Sequence, residues 1–270
     1  MDETNRPADS RDAAPSGRWD WLDAARFLFF LALAAWALRS LVVAPFSIPS
    51  GSMMPTMLPG DYLFVSKWPY GYSRYSFPGQ IPSFGGRIFQ RIPERGDVVI
   101  FKRSGPEATD WVKRVIGLPG DRIALQGGVL FINGKQVIRS SRGQLGLPKS
   151  RNIPCTIDEA ATCGYPAFVE TLPNGRSYVT FDQTPYAPRD TFGAVTVPPG
   201  HLFLLGDNRD DSSDSRFTLA EGGIGMVPLD RLVGRAAFSF WSTDGSASYW
   251  KPWTWFSALR TDRIGQGFQP

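Results

Sequence analysis

The sequence predicts a mainly β fold carried behind one N-terminal apolar helix, and three features point to it. Residues 24–44 form a long, continuous apolar stretch of helical length. Beyond them, 28 glycines and 23 prolines punctuate many short apolar runs, the pattern of strands and turns rather than of long helices. Among those runs, Val129–Ile132 and Lys135–Ile138 are joined by Asn133-Gly134, a pair suited to the positive-φ positions of a type I′ hairpin turn. With 270 residues the chain has room for one large or two modest domains and a sizeable core. The net charge of +4 is modest and its basic residues are scattered. That pattern suits a lipid surface and argues against a nucleic-acid partner.

Residues 1–23 are polar and mixed in charge, with Pro7, Ser10, Pro15 and Ser16 and little to bury. They are expected to be a disordered tail. Residues 24–44 are apolar all round except for Arg26, Arg39 and Ser40. From Phe27 to Ala44 a helix would rise roughly 27 Å, enough for a bilayer core, with Arg39 near enough to one end to snorkel. A cleaved export signal would want a small-x-small site just past the apolar core, and Val42-Val43-Ala44-Pro45-Phe46 is a poor one. A buried core helix is the alternative, and the uninterrupted apolar circumference argues against it. The stretch is therefore read as an uncleaved membrane anchor. Arg6, Arg11, Arg18 and Arg26 precede it while the first lysine beyond is Lys67, which puts the N-terminus in the cytoplasm and the body outside.

Past the anchor, residues 61–67 read as a strand following the Pro59-Gly60 turn. Residues 68–93, rich in Tyr, Phe, Gly, Pro and Arg, are an aromatic loop or β-ribbon, either at the membrane interface or simply at the surface. Strands follow at 97–102 and 111–116, then the Asn133-Gly134 hairpin. Residues 139–191 are loop-like, proline-rich and lack long apolar runs, and are read as an insertion or cap. They hold the chain's two cysteines, Cys155 and Cys163, which would form a small disulfide if the body is exported and would otherwise stay free. No CxxC pair or Cys/His cluster is present, so no structural zinc site is expected. Strands at 192–197, 201–205 and 232–241 complete a β core drawn from residues 45–138 and 192–242. The tail, 243–270, carries Trp250, Trp253 and Trp255 near Lys251 and could rest on a membrane or cover a sheet edge.

Three stretches carry candidate chemistry. Ser52 sits between Gly51 and Met53, with Pro49 and Pro55 stiffening the backbone. This is either an ordinary turn or a held nucleophile. In Asp110–Asp121, strand alternation puts Trp111, Lys113 and Val115 on one face. An ammonium flanked by Trp and Val is disfavoured by desolvation, which lowers its pKa and suits it to act as a general base. A surface lysine that snorkels is the plainer reading of any single Lys. Residues 206–216 contain four aspartates and two arginines, either a solvated loop or a braced network supporting a site. Asp210, Ser212, Asp214 and Glu221 fall at calcium-loop spacing, but Ser215 occupies the glycine position and no helices flank the loop. The single histidine, His201, begins an apolar run and is expected at a strand end rather than in a Ser-His-Asp triad.

Together these stretches resemble the type I signal peptidases of bacteria. Pro49-Ser-Gly-Ser-Met-Met-Pro-Thr56 resembles the serine box, and Gly60-Asp-Tyr-Leu-Phe-Val65 the strand box after it. Arg95–Lys102 with Val112–Asp121 resembles the lysine box; Gly206–Arg216 and Val233-Gly-Arg-Ala236 resemble the closing box. All lie in family order, directly after the apolar span. Met57 stands where leucine is usual, Asp211 where asparagine is frequent and His201 where an aromatic is common.

The resemblance implies a membrane-anchored, mostly antiparallel β core with a smaller inserted β subdomain and one N-terminal transmembrane helix. Ser52 would be the nucleophile and Lys113 its general base. The Ser52 N–H and Ser50 hydroxyl would hold the oxyanion, Ser212 would orient Lys113, and Asp214, Arg216, Arg114 and Asp207 would brace the loop. Pocket walls would be Phe46, Ile48, Pro49, Met57, Trp111 and Val112, accepting small-x-small (Ala-x-Ala) sites of secretory preproteins that dock as an added strand. No metal or organic cofactor, and a monomer in the bacterial cytoplasmic membrane with its catalytic body on the outer face, complete the expectation. Two rival readings are a different Ser/Lys peptidase of the same fold, and a membrane-tethered, non-catalytic β module that binds exported chains.

Overall fold

A computed structural model describes residues 21–105, 109–153, 155, 157–158, 162–184, 187–248 and 250–269. All but the last three residues of the expected N-terminal tail lie outside that set. Those three are already helical: α1 runs Trp21–Ala37 and buries none of its side chains. The apolar helical stretch extends to Val42 and is long and apolar enough to cross a membrane. Its last five residues, Leu38–Val42, wind as a π-helix. The expected helix to Ala44 stops short because Pro45 cannot continue it and residues 43–47 pair as a strand. The chain divides at Ala37 into two units, α1 in the first and everything from Leu38 in the second.

The second unit is built on a seven-stranded sheet of β1 (Val43–Ser47), β2 (Asp61–Ser66), β3 (Val98–Lys102), β4 (Asp110–Gly117), β5 (His201–Leu205), β6 (Val227–Pro228) and β7 (Leu232–Ser242). Its order is β1-β2-β7-β3-β4-β5-β6, every pair antiparallel. Three register shifts interrupt β7, between Leu232 and Gly234, Ala236 and Phe238, and Ser239 and Trp241. Extra residues of this kind bend a strand and increase its twist, so they curl the sheet. β4 pairs β5 only from Arg114 onward, leaving one edge of Asp110–Lys113 without a strand partner among the described residues.

The hairpin at Asn133-Gly134 forms, with φ of 54° and 78° at the two turn residues. Residues 68–93 include a short ribbon, Tyr72–Ser73 against Arg87–Ile88. The loop-like reading of 139–191 is wrong in detail. Ile138–Pro148 and Thr162–Thr171 are long paired strands, joined by Ser177–Phe181 on the far side. Ile138–Pro148 is mostly exposed, so no apolar alternation advertised it; pairing with its neighbour holds it. Cys155 and Cys163 are joined by a disulfide, Cα–Cα 5.0 Å. In the tail, Gly265 N donates to Ser239 O and Phe268 N to Ala237 O, so this part lines the free edge of β7. Trp250, 92% exposed, and Trp253 do not share that burial.

Two core clusters position the loop that follows β1. Met53 and Met57 pack with Leu63, Val65, Val98 and Ile100 of the main sheet. Met54 and Leu58 point instead into a cluster with Cys163, Tyr165 and Phe181 of the inserted sheet. The Met57 N–H donates to Met53 O at 2.9 Å, one helical turn that sends adjacent side chains to opposite cores.

Candidate active site

Ser52 lies at the start of that doubly anchored turn. Beyond the turn, the buried Asp61 carboxylate accepts from the Leu58 N–H (2.8 Å), the Ser242 hydroxyl (2.7 Å) and Arg263 Nη2 (2.6 Å). This ties the end of the serine loop to β7 and the C-terminal segment. Asn208 holds the other end: its N–H donates to Ser52 O at 3.2 Å and its side-chain amide to Gly51 O at 3.2 Å. Gly206 fits where no side chain could, since a Cβ there would stand 2.2 Å from Ser212 Oγ and 2.6 Å from Ser52 O.

Lys113 Nζ lies 2.7 Å from Ser52 Oγ. Ser52 is 8% and Lys113 2% exposed. The Trp111 ring lies 5.5 Å from the ammonium, on the face that strand alternation predicts. Burial lowers the Lys113 pKa to about 8 against the opposing fields of Asp214, Asp207 and Asp211. A buried amine with that pKa is partly neutral near physiological pH, and a neutral amine can accept the serine proton.

Two of the loop's four aspartates, Asp207 and Asp214, are buried in ion pairs, while Asp211 is exposed. Arg114 donates to both Asp207 oxygens, at 2.7 and 2.6 Å, and Thr56 Oγ1 donates to the same carboxylate. Arg216 is paired with Asp214, which also accepts from the Gly206 N–H. Burial alone would raise the Asp214 pKa, but Arg216 and that N–H hold it below the usual carboxylate range. The calcium-loop spacing leads nowhere, because Asp214 is engaged with Arg216 and Glu221 with Thr218 and Arg189.

A cleft of about 390 Å³ opens over the Ser52–Lys113 pair. Phe46, Ile48, Pro49, Trp111 and Val112 line it as expected, joined by Ser47, Ile100 and Asp110. Met57 does not: it is fully buried in the main core beneath, because its turn points it inward. Ser50 Oγ stands 3.5 Å from Ser52 Oγ at the mouth. Ser212 is buried and packed on Gly206, but its hydroxyl makes no hydrogen bond to Lys113, contrary to the orienting contact expected. His201 Nδ1 is 3.0 Å from Pro199 O at the start of β5, and the residue does not line the cleft. Sequence reasoning gave no role to Thr56, Asp61, Asn208 or Gly206. Of these, Asn208 and Gly206 were findable, since both sit inside the polar 206–216 run.

A family model described as "Signal peptidase, peptidase S26" matches residues 21–241. The chain is 37% identical over 276 residues to a signal peptidase I of Rickettsia typhi (strain ATCC VR-144 / Wilmington), covering 94% of this chain and 96% of the relative. It is 38% identical over 262 residues to a signal peptidase I of Rickettsia massiliae (strain Mtu5), covering 88% and 89%. A crystal structure of a signal peptidase I from Enterococcus faecalis V583 is 25% identical over 54% of this chain and 97% of its own. Its TM-score of 0.29 is too loose to bear on the fold, which rests on the strand pairing above.

Proposed function

This chain belongs to the signal peptidase family, peptidase S26, and on that premise we propose that it removes export signals with a Ser52/Lys113 dyad. The observation that carries this reading is the buried 2.7 Å contact between Lys113 Nζ and Ser52 Oγ under an apolar-walled cleft. The neutral Lys113 amine takes the Ser52 proton as Oγ attacks the scissile carbonyl. The lysine then returns a proton to the leaving amine and activates the water that hydrolyses the acyl-enzyme. The Ser52 N–H has no acceptor among the described residues, and with the Ser50 hydroxyl it donates to the oxyanion. Arg114–Asp207 and Asp214–Arg216 keep the 206–216 loop against the serine turn; Ser212 packs on Gly206 within that loop.

The substrate enters as an extended strand along Asp110–Lys113, whose edge has no strand partner among the described residues. Phe46, Ile48 and Val112 leave room for small side chains near the scissile bond, in keeping with Ala-x-Ala sites. Trp21–Val42 acts as the anchor, with the body on the outer face of the cytoplasmic membrane, and holds the enzyme on the surface where its substrates emerge. Purified protein in detergent should cleave a secretory preprotein after its Ala-x-Ala sequence. Ser52→Ala should leave no cleavage while retaining the parent's circular dichroism. Cleavage by that variant at the parent's rate would refute the nucleophile; a folded parent that binds the preprotein without cutting it would favour the tethered binding module.

A further inference from the structure

Beside the cleft lies a second cavity of about 320 Å³, with Phe46 and Asp110 as shared walls. Arg39, Lys67 and Lys102 line it against one carboxylate, Asp110, which already pairs with Lys102 at 2.8 Å. Lys67 is the member without an explanation. It is 3% exposed, and the carboxylate whose field acts on its ammonium, Asp110, is the one already paired with Lys102. Burial, opposed by Asp110 and reinforced by Arg39, Lys102 and Arg87, lowers its pKa to about 8. The peptidase reaction makes no use of it. With three cations set against one carboxylate that already pairs with Lys102, the cavity is short of negative charge.

The rest of the wall says which anion fits. The Tyr75 hydroxyl accepts from Arg74 at 2.7 Å and Ser76 Oγ from the Ser73 N–H at 3.2 Å, so each keeps its own proton to donate. Cationic groups and hydroxyl donors converging on one cavity suit a tetrahedral anion with several acceptor oxygens better than a planar carboxylate. Arg39 sits three residues inside the end of the apolar stretch Trp21–Val42, a helical rise of about 5 Å. If that stretch spans the bilayer, Arg39 lies at the level of the lipid phosphates. We propose that this cavity binds the phosphate group of a membrane phospholipid, with Lys67 as its central counter-ion. The lipid source rests on the anchor reading given above; the phosphate chemistry does not.

The test uses the full chain in a phosphate-free non-ionic detergent. Binding of dihexanoyl phosphatidylglycerol, and separately of inorganic phosphate, is measured by calorimetry on the parent, Lys67→Gln and Arg39→Gln. The short-chain lipid should bind saturably and raise the melting temperature. Each substitution should weaken it by about tenfold, the loss expected of one charge-assisted hydrogen bond. Inorganic phosphate should bind at the same residues but more weakly. Removing one of a group of mutually repelling cations should not unfold the protein, so Lys67→Gln should melt no lower than the ligand-free parent. Unchanged lipid affinity in Lys67→Gln overturns the site, and so does the absence of saturable binding by either probe. Inorganic phosphate binding as tightly as the lipid overturns the lipid assignment in favour of a free anion. Because the probe is monomeric and no cleavage is read, failure here is separable from failure of the anchor or of the peptidase reading.

Discussion

At the scale of single residues, the buried Lys113 places a cost on the fold that its proposed role as a base requires. Its pKa is lowered to about 8, so between about pH 8 and 10.5 the unfolded chain binds a proton that the folded chain lacks. Stability therefore rises with pH across that window, and the full penalty, on the order of 3 kcal/mol, is felt below it. Lys67 adds a rise in the same direction. Lys113→Met should accordingly be inactive yet more stable than the parent at pH 7, with a shallower gain in stability from pH 8 to 10. Denaturant titrations at pH 7 and pH 9.5 would measure both; a variant less stable than the parent at pH 7 would contradict the desolvation account. The alternation in Trp111-Val112-Lys113 was enough to expect this environment, because strand period fixes which side chains share a face. The Ser52–Lys113 contact, 61 residues apart, could be inferred only through family resemblance, since nothing local pairs them.

At the scale of elements, the serine is held by a turn wedged between two sheets and closed over by the 206–216 loop. Gly206 is the tightest point of that closure. Gly206→Ala would drive a methyl group into Ser212 and the Ser52 carbonyl, shifting the nucleophile. The expected outcome is a kcat loss of about 10²-fold with folding largely retained, because misplacement of about 1 Å is costly to catalysis. Parallel kcat and circular dichroism measurements would check it, and a near-parental kcat would mean the loop yields without moving Ser52. β2, β3, β4, β5 and β7 were legible because their apolar runs are bounded by turn residues. Ile138–Pro148 was not, being an exposed strand whose pairing partner begins fourteen residues later. Met57 was misplaced for a related reason: sequence order puts it beside the serine box, but the Met53–Met57 turn rotates it into the core.

At the scale of the whole chain, the proposed function gives the apolar stretch and the body that follows it separate jobs. A form lacking residues 1–37 should cleave a soluble Ala-x-Ala peptide with unaltered kcat, since none of the described residues of that segment lines the cleft. On a preprotein reconstituted in the same vesicles it should lose the advantage of a shared surface, on the order of 10²-fold in kcat/KM. Equal losses on both substrates would mean that the segment supports the site rather than tethers it. Long apolar length made the helix readable from sequence, while its orientation rests on the arginines before it alone; how the tail's Trp250 and Trp253 are used had no such signal, because exposed aromatics fit several roles.

The central claim is that Lys113, as a free amine, is the base for Ser52. Its most direct test is the pH dependence of kcat/KM for preprotein cleavage from pH 6 to 10, run on the parent and on Lys113→Ala. The parent should show an acid limb with an apparent pKa near 8, below which each pH unit costs about tenfold. The variant should fall by about 10³-fold or more at every pH and lose that limb. A variant that cleaves as fast as the parent, or keeps the same limb, would contradict the lysine base.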